Sequence, residues 1–247
     1  MTSRELISAT RGLREMLGLR EDPLVFFYTD HQPEGYRPSG DGRACLVALL
    51  GRARRGETVY FDREHFGCGG AGYYLGFAPP SPTIDEFVST GIPGKMEGEH
   101  YKKSPDLVRR YREENQVGPA PAAYAVFKPI GALTDEERPQ VVLSFVTPDE
   151  LSGLVMLANY ARAEDAVVAV FSSGCGGLVT RALKEAHHAP PRAVLGMFDP
   201  SARPFVPAHE LSFSAPIPLW EEMLAHYQES FLKTATWAKV RERIRKG

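Results

Sequence analysis

The sequence predicts an α/β (or α+β) protein, a mixed sheet covered by helices and built from two pseudo-repeated β-α-β-α halves. Three observations carry that expectation. Short β-branched and aromatic runs, such as residues 23–28 and 141–146, alternate with stretches of helical spacing. The order strand, helix, strand, Gly-Cys-Gly-Gly, helix occurs twice. The tetrapeptide itself recurs, as Gly67-Cys68-Gly69-Gly70 and Gly174-Cys175-Gly176-Gly177, using two of the three cysteines in 247 residues.

In chain order, residues 3–18 show helical spacing through Leu6, Leu13, Met16 and Leu17 and stop at Gly18. Residues 23–28 form a strand, and a Gly/Pro/Asp-rich loop over 30–42 leads to Cys45, which opens a helix ending near Gly56. Residues 58–61 give a second strand before the first Gly-Cys-Gly-Gly, and 71–77 a glycine-rich helix. Residues 79–105 are a Pro/Gly-rich excursion, too polar for core and too long for a simple connection, which fits a lid or binding loop. A charged helix near 105–115 and a strand at 123–129 complete the first half, approximately residues 20–128.

The second half, approximately 139–218, repeats the order. A buried strand at 141–146 precedes a helix capped by Pro148-Asp149-Glu150, then a strand at 166–171, the second Gly-Cys-Gly-Gly and a helix over 178–183. Strands follow at 193–198 and 210–218. A C-terminal helix spans 219–246, its stripe traced by Trp220, Met223, Leu224, Tyr227 and Phe231 and continued by Trp237, Val240 and Ile244. The whole reads as one domain over 1–247.

Hydrophobic content of 43% and charged content of 24% are those of a soluble globular chain. A formal charge of −2 gives no global electrostatic reason to expect nucleic acid or an anionic membrane as partner. Nothing approaches the roughly 18 uninterrupted apolar residues of a membrane span. Residues 1–5 mix acid and base with no apolar run behind them, so a cytoplasmic location is expected. Three cysteines, an odd number in a chain of this size, argue against a disulfide framework. The expected partner is a small molecule or anion.

Several of these pieces together resemble the DUF169 family, archaeal and bacterial proteins described as cysteine-rich and uncharacterised. They are Leu17-Gly18-Leu19 followed by residues 23–27, Cys45 opening a helix, and Arg55-Gly56-Glu57 before a strand. Further matches are Cys68-Gly69-Gly70-Ala71 with Leu75-Gly76, the Cys175 segment, and Glu210-Leu211-Ser212-Phe213-Ser214 with Ile217-Pro218. The resemblance supports the cysteine positions and implies no activity.

The residues leave three chemistries open. In the first, Cys45, Cys68 and Cys175 converge on one metal ion or iron–sulfur cluster, for which thiolates are the required ligands and glycines admit close backbone amides; sulfurs within roughly 7 Å can share a cluster. His65 is a further metal ligand to consider. In the second, the two Gly-Cys-Gly-Gly turns sit at helix N-termini and form paired amide nests for a phosphate or carboxylate, helped by Arg43, Lys95, Lys102 and Lys103. No nucleotide fingerprint of the GxGxxG or GxxxxGK[ST] kind is present. In the third, Cys68 or Cys175 is a nucleophile served by His31, His65, His100, His187 or His188. The bland alternative is glycines serving tight helix–strand packing. The site is expected where the two turns meet, beneath residues 79–105 and beside Tyr73 and Tyr74.

Overall fold

The structure, a computed structural model, describes residues 1–41 and 44–246. Its centre is a seven-stranded mixed sheet. The strands are β1 (Leu24–Thr29), β2 (Val59–Phe61), β3 (Tyr124–Pro129), β4 (Val141–Val146), β5 (Val167–Ala169), β6 (Ala193–Gly196) and β7 (Leu211–Pro216), in the spatial order β2-β3-β1-β4-β7-β6-β5. Every pairing is antiparallel except β5 with β6.

Alternation along the strands sorts side chains between two cores, because successive residues point to opposite faces. Val25 and Phe27 face the first core; Leu24 and Phe26 face the second. Four helices cover the first face: α1 (Ser3–Leu17), α6 (Pro148–Ala158), α8 (Ile217–His226) and α9 (Ala235–Lys246). Against the second lie α2 (Leu46–Arg54), α3 (Gly69–Tyr74) and α7 (Arg181–Glu185), the last continuing a π-helical turn over Gly176–Thr180. The 79–105 excursion holds the short helix α4 (Ile84–Val88), and α5 (Pro105–Glu114) follows it.

The two halves share their order of elements but not their layout. The helix after the first strand packs on the second face in one half (α2) and on the first face in the other (α6). The first half contributes β2-β3-β1 to the sheet, whereas the second inserts β6 between β5 and β7.

Local signals account for the best-defined elements. Thr2 and Glu5 form a capping box at the start of α1, and Gly18 ends that helix at φ 85, a left-handed conformation glycine adopts without penalty. Thr147 and Glu150 repeat the capping box at α6. Two strands are shorter than expected. Strand 166–171 is only Val167–Ala169, and strand 193–198 stops at Gly196 because Met197 turns the chain at φ 65.

The helix expected over 219–246 is broken. Between α8 and α9 the chain turns through a short 3₁₀ segment, Phe231–Lys233, started by Ser230. The break lets α9 fold back so that Trp237 donates its indole N–H to the Met16 carbonyl at 3.1 Å and meets Phe231 edge-on at 5.2 Å. Gly153 makes room for it, since a β-carbon there would stand 2.4 Å from the Trp237 ring. The excursion is also less purely surface than its polarity predicts: Asp85 is buried and bonds Arg112 at 2.5 Å, and Ser89 donates to the Asp85 carbonyl at 2.6 Å.

Candidate functional site

Three cysteine-bearing turns meet on the second face. Cys45 is the N-cap of α2 and Cys68 the N-cap of α3, while Cys175 already has helical dihedrals before the π-turn. The glycine that precedes each of the latter two cysteines packs onto the start of α2. Gly67 sits at φ 80, and a β-carbon on it would lie 2.5 Å from the Ala44 carbonyl oxygen. A β-carbon on Gly174 would lie 3.0 Å from a Val47 methyl and 2.8 Å from Ala202. Gly176 faces the Tyr74 ring of α3 in the same way, at 2.6 Å. Small residues at these points allow three backbones to approach more closely than any side chain would permit.

The result is one cluster. Cys175, only 6% exposed, belongs to the second core with Val47 and Met197, and the half-buried Cys45 and Cys68 pack against it. The charge of Cys68 acts on Cys45, and those of Cys68 and Cys45 act on Cys175. Burial pushes the Cys175 thiol well above its ordinary value, with the charges of Cys68, Cys45 and Asp199 adding to the effect. Burial likewise raises Cys45, partly offset by the Ala48 and Val47 amides at the start of α2. Desolvation therefore outweighs the helix terminus at both positions.

This electrostatic order has a direct chemical readout. The thiolate is the reacting form, so a raised thiol stays neutral and inert at pH 7–8 and gains reactivity only as the pH climbs above the usual cysteine range. Alkylation of the folded protein with iodoacetamide, mapped by peptide mass, is expected to modify the half-exposed Cys68 first and Cys175 last. Rapid labelling of Cys175 at neutral pH would contradict the burial described here.

Asp199 is the residue that sequence reasoning missed. It follows the left-handed Met197, and its two carboxylate oxygens are both engaged. Oδ2 accepts from the Gly174 amide at 3.0 Å; Oδ1 accepts from the Ser201 amide at 3.0 Å and from the Ser201 hydroxyl at 2.7 Å. Further amides of the second turn are also spoken for, Gly176 by the Ser173 hydroxyl at 3.1 Å and Gly177 by the Ser173 carbonyl at 2.9 Å. The first turn differs. Gly69 and Gly70 are exposed, with no neighbour over Gly69 and only the Cys68 sulfur, 3.9 Å away, near Gly70. The signal for Asp199 was present as Asp199-Pro200-Ser201, an Asp whose side chain bonds backbone two residues on, but such turns are too common to stand out.

A family model matches residues 12–226 of the 247. The chain belongs to DUF169. That family is described as uncharacterised ArCR, and comparison with curated proteins and with solved structures gives no match. The matched stretch of this DUF169 protein contains all three cysteines, Met197 and Asp199 and ends with α8, leaving α9 outside.

Aromatic side chains stand near the second turn of this DUF169 protein. Tyr74 stands by Ser173, its phenol raised to about 12 chiefly by burial. Tyr73 is edge-on to Tyr74 at 4.9 Å and close to Arg112. From the excursion, Tyr101 reaches Ser201 and Asp199 and is raised to about 12, first by desolvation and then by Glu99. Lys102 lies over the rings of Phe171 at 4.2 Å and Tyr111 at 5.6 Å. Of the other cations singled out above, Lys95 and Lys103 are exposed, and Arg43 lies outside the described residues.

The histidines do not assemble around a thiol. His31, His100, His187 and His188 are exposed, and His65 bonds Asp62 through Nδ1 at 2.9 Å. Among the described residues no hydrogen bond joins a histidine to a cysteine. As the side chains stand, no three His, Cys, Asp or Glu among the described residues are grouped to hold a metal ion. Among the same residues, no helix is long and apolar enough to cross a membrane.

Proposed function

We propose that this DUF169 protein binds a soft, thiophilic metal cation at the junction of Cys45, Cys68 and Cys175. The observation that carries the reading is the meeting of three separate turns, brought together by Gly67 and Gly174 against the start of α2. The charges of Cys68 and Asp199 disfavour those of Cys45 and Cys175, an environment that a bound cation would reverse. Ligation then takes the proton from each thiol, and the bound cation offsets the burial that disfavours the charged form of Cys45 and Cys175.

Closing the set requires the sulfurs to move together. Cys68 has the freedom to do so: its turn is short, exposed and followed by two glycines with open space above them. Glycine in a helix costs about 1 kcal/mol relative to alanine. Packing explains that cost at Gly176 but not at Gly69 or Gly70, where close approach of a ligand over Cys68 supplies the missing reason. The amide-nest alternative is weaker, since Asp199 and Ser173 already occupy amides of the second turn. Thiol catalysis has less support: Cys45 and Cys175 are raised, and among the described residues no histidine bonds a cysteine.

The test is anaerobic titration of the reduced protein with Cd(II), followed by thiolate-to-metal charge-transfer absorption. Saturation at one equivalent is expected. Cys45→Ser, Cys68→Ser and Cys175→Ser should each weaken binding by about 100-fold or more, since loss of even an outer-shell partner costs roughly 10–100-fold. An absent charge-transfer band, with all three thiols equally reactive before and after metal addition, would overturn the reading.

A further inference from the structure

We propose that the corner between α5 and α7 is a separate site, independent of the cysteines, which binds a phosphoryl group through the side chains of Arg181 and Lys184.

Both cations converge on one neutral atom. Asn115, the C-cap of α5, accepts through Oδ1 from Arg181 Nη1 and from Lys184 Nζ, the latter at 3.0 Å. Two hydrogen bonds to one oxygen hold their nitrogens within roughly 6 Å of each other. Asn115 is itself fixed, since its Nδ2 donates to the Tyr111 carbonyl at 2.8 Å. Capping of α5 explains part of the arrangement, because Lys184 also donates to the Glu114 carbonyl at 2.9 Å. A helix C-terminus offers only about half a negative charge, however, against two full positive ones.

No carboxylate makes up the difference. Glu185 stands 3.8 Å from Arg181 Nη2, beyond hydrogen-bond length, and is held instead by Arg192 at 2.7 Å. Glu113 and Glu114 are exposed, and among the described residues neither side chain forms an ion pair. A third cation, Lys102, lies over the Phe171 ring at 4.2 Å and the Tyr111 ring at 5.6 Å, again with no carboxylate partner among the described residues.

The two converging cations also have donors to spare. Arg181 is 16% exposed, and its Nε is shielded from solvent with no hydrogen-bond partner among the described residues. A buried donor without an acceptor is costly, so it marks a place where an acceptor belongs. Nε and Nη2 together form the edge of the guanidinium that fits two oxygens of one phosphate. Lys184 Nζ has committed two of its three protons and has one more to give. A doubly charged phosphoryl group matches both cations in charge and these spare donors in number. A carboxylate answers only one of the two charges.

The experiment titrates the full chain with inorganic phosphate, phenyl phosphate and acetate by calorimetry at constant ionic strength. The phosphate titration is repeated on Arg181→Gln, Lys184→Ala and Lys103→Ala. Wild type is expected to bind phosphate at one site, and acetate at least about 10-fold more weakly. Arg181→Gln and Lys184→Ala should each lose about 10- to 100-fold in phosphate affinity, the range for a hydrogen bond to a charged group. Lys103→Ala, exposed and outside the cluster, should bind as wild type does. Lys184 is exposed, so its variant decides the matter even if the more buried Arg181→Gln fails to fold. Phenyl phosphate binding as tightly as inorganic phosphate assigns the site to a phosphate ester, and its exclusion assigns it to the free ion; either sustains the phosphoryl site. Phosphate affinity unchanged in Lys184→Ala, no phosphate binding by wild type, or acetate binding as tightly as phosphate would overturn it.

Discussion

Gly67→Ala is expected to destabilise the protein by about 2–5 kcal/mol and, on the proposed function, to abolish Cd(II) binding by the cysteines. Two costs combine. A residue with a β-carbon at φ 80 pays about 1–2 kcal/mol for the left-handed conformation. The added carbon would also lie 2.5 Å from the Ala44 carbonyl oxygen, which is backbone and cannot rotate away. Relieving such an overlap shifts the chain at about 1–3 kcal/mol. The shift separates Ala44, and with it Cys45, from the turn that carries Cys68. Gly69→Ala is the matched control: with no atom within 4 Å of its β-carbon, it should be neutral or stabilising by up to about 1 kcal/mol. Urea unfolding of the two variants checks both values. Similar stabilities for the pair would show that Gly67 does not hold the junction together.

Loss of Glu150 is expected to be the costliest single change outside the junction. Its carboxylate is 2% exposed yet accepts from the Arg20 amide at 2.8 Å, the Thr147 amide at 2.8 Å and the Thr147 hydroxyl at 2.7 Å. It also pairs with the Arg20 guanidinium at 3.5 Å, and Arg20 lies 3.9 Å from the buried Glu210, which Arg54 holds at 2.8 Å. One side chain thus completes the α6 capping box and ties the segment before β1 to that helix. Glu150→Ala strands three part-buried donors and a partly exposed arginine, for which about 2–3 kcal/mol is the expected loss. Glu150→Gln keeps the shape but turns one acceptor into a donor facing donors, and should fall between alanine and wild type. A loss under about 1 kcal/mol in denaturant unfolding of Glu150→Ala would mean that water or neighbouring acceptors replace the carboxylate.

Those two residues mark how differently fold and site could be read in advance. Glu150 stands in a local pattern, Thr147-Pro148-Asp149-Glu150 ahead of an apolar run, and the helix it caps is where that pattern puts it. Gly67 also stands in a visible pattern, the doubled Gly-Cys-Gly-Gly, but its job depends on Ala44, which is 23 positions away along the chain. The repeat drew attention to the two turns while concealing that the copies differ. In the second, Gly174 and Gly176 are required by packing; in the first, only Gly67 is, and Gly69 and Gly70 lie open.

The sequence by itself determined the elements whose signals are local. These are the buried strands β1 and β4, the capped helices α1 and α6 and the left-handed stop at Gly18. Caps, turns and periodicity act within one or two turns of chain, so adjacent residues suffice to specify them. Only the tertiary structure decided which face each helix covers, that the C-terminal helix breaks to seat Trp237 against Met16, and that Met197 and Asp199 join the cysteines. Each of those outcomes is set by close contact between segments remote in sequence, and local patterning carries no information about which remote backbone will arrive.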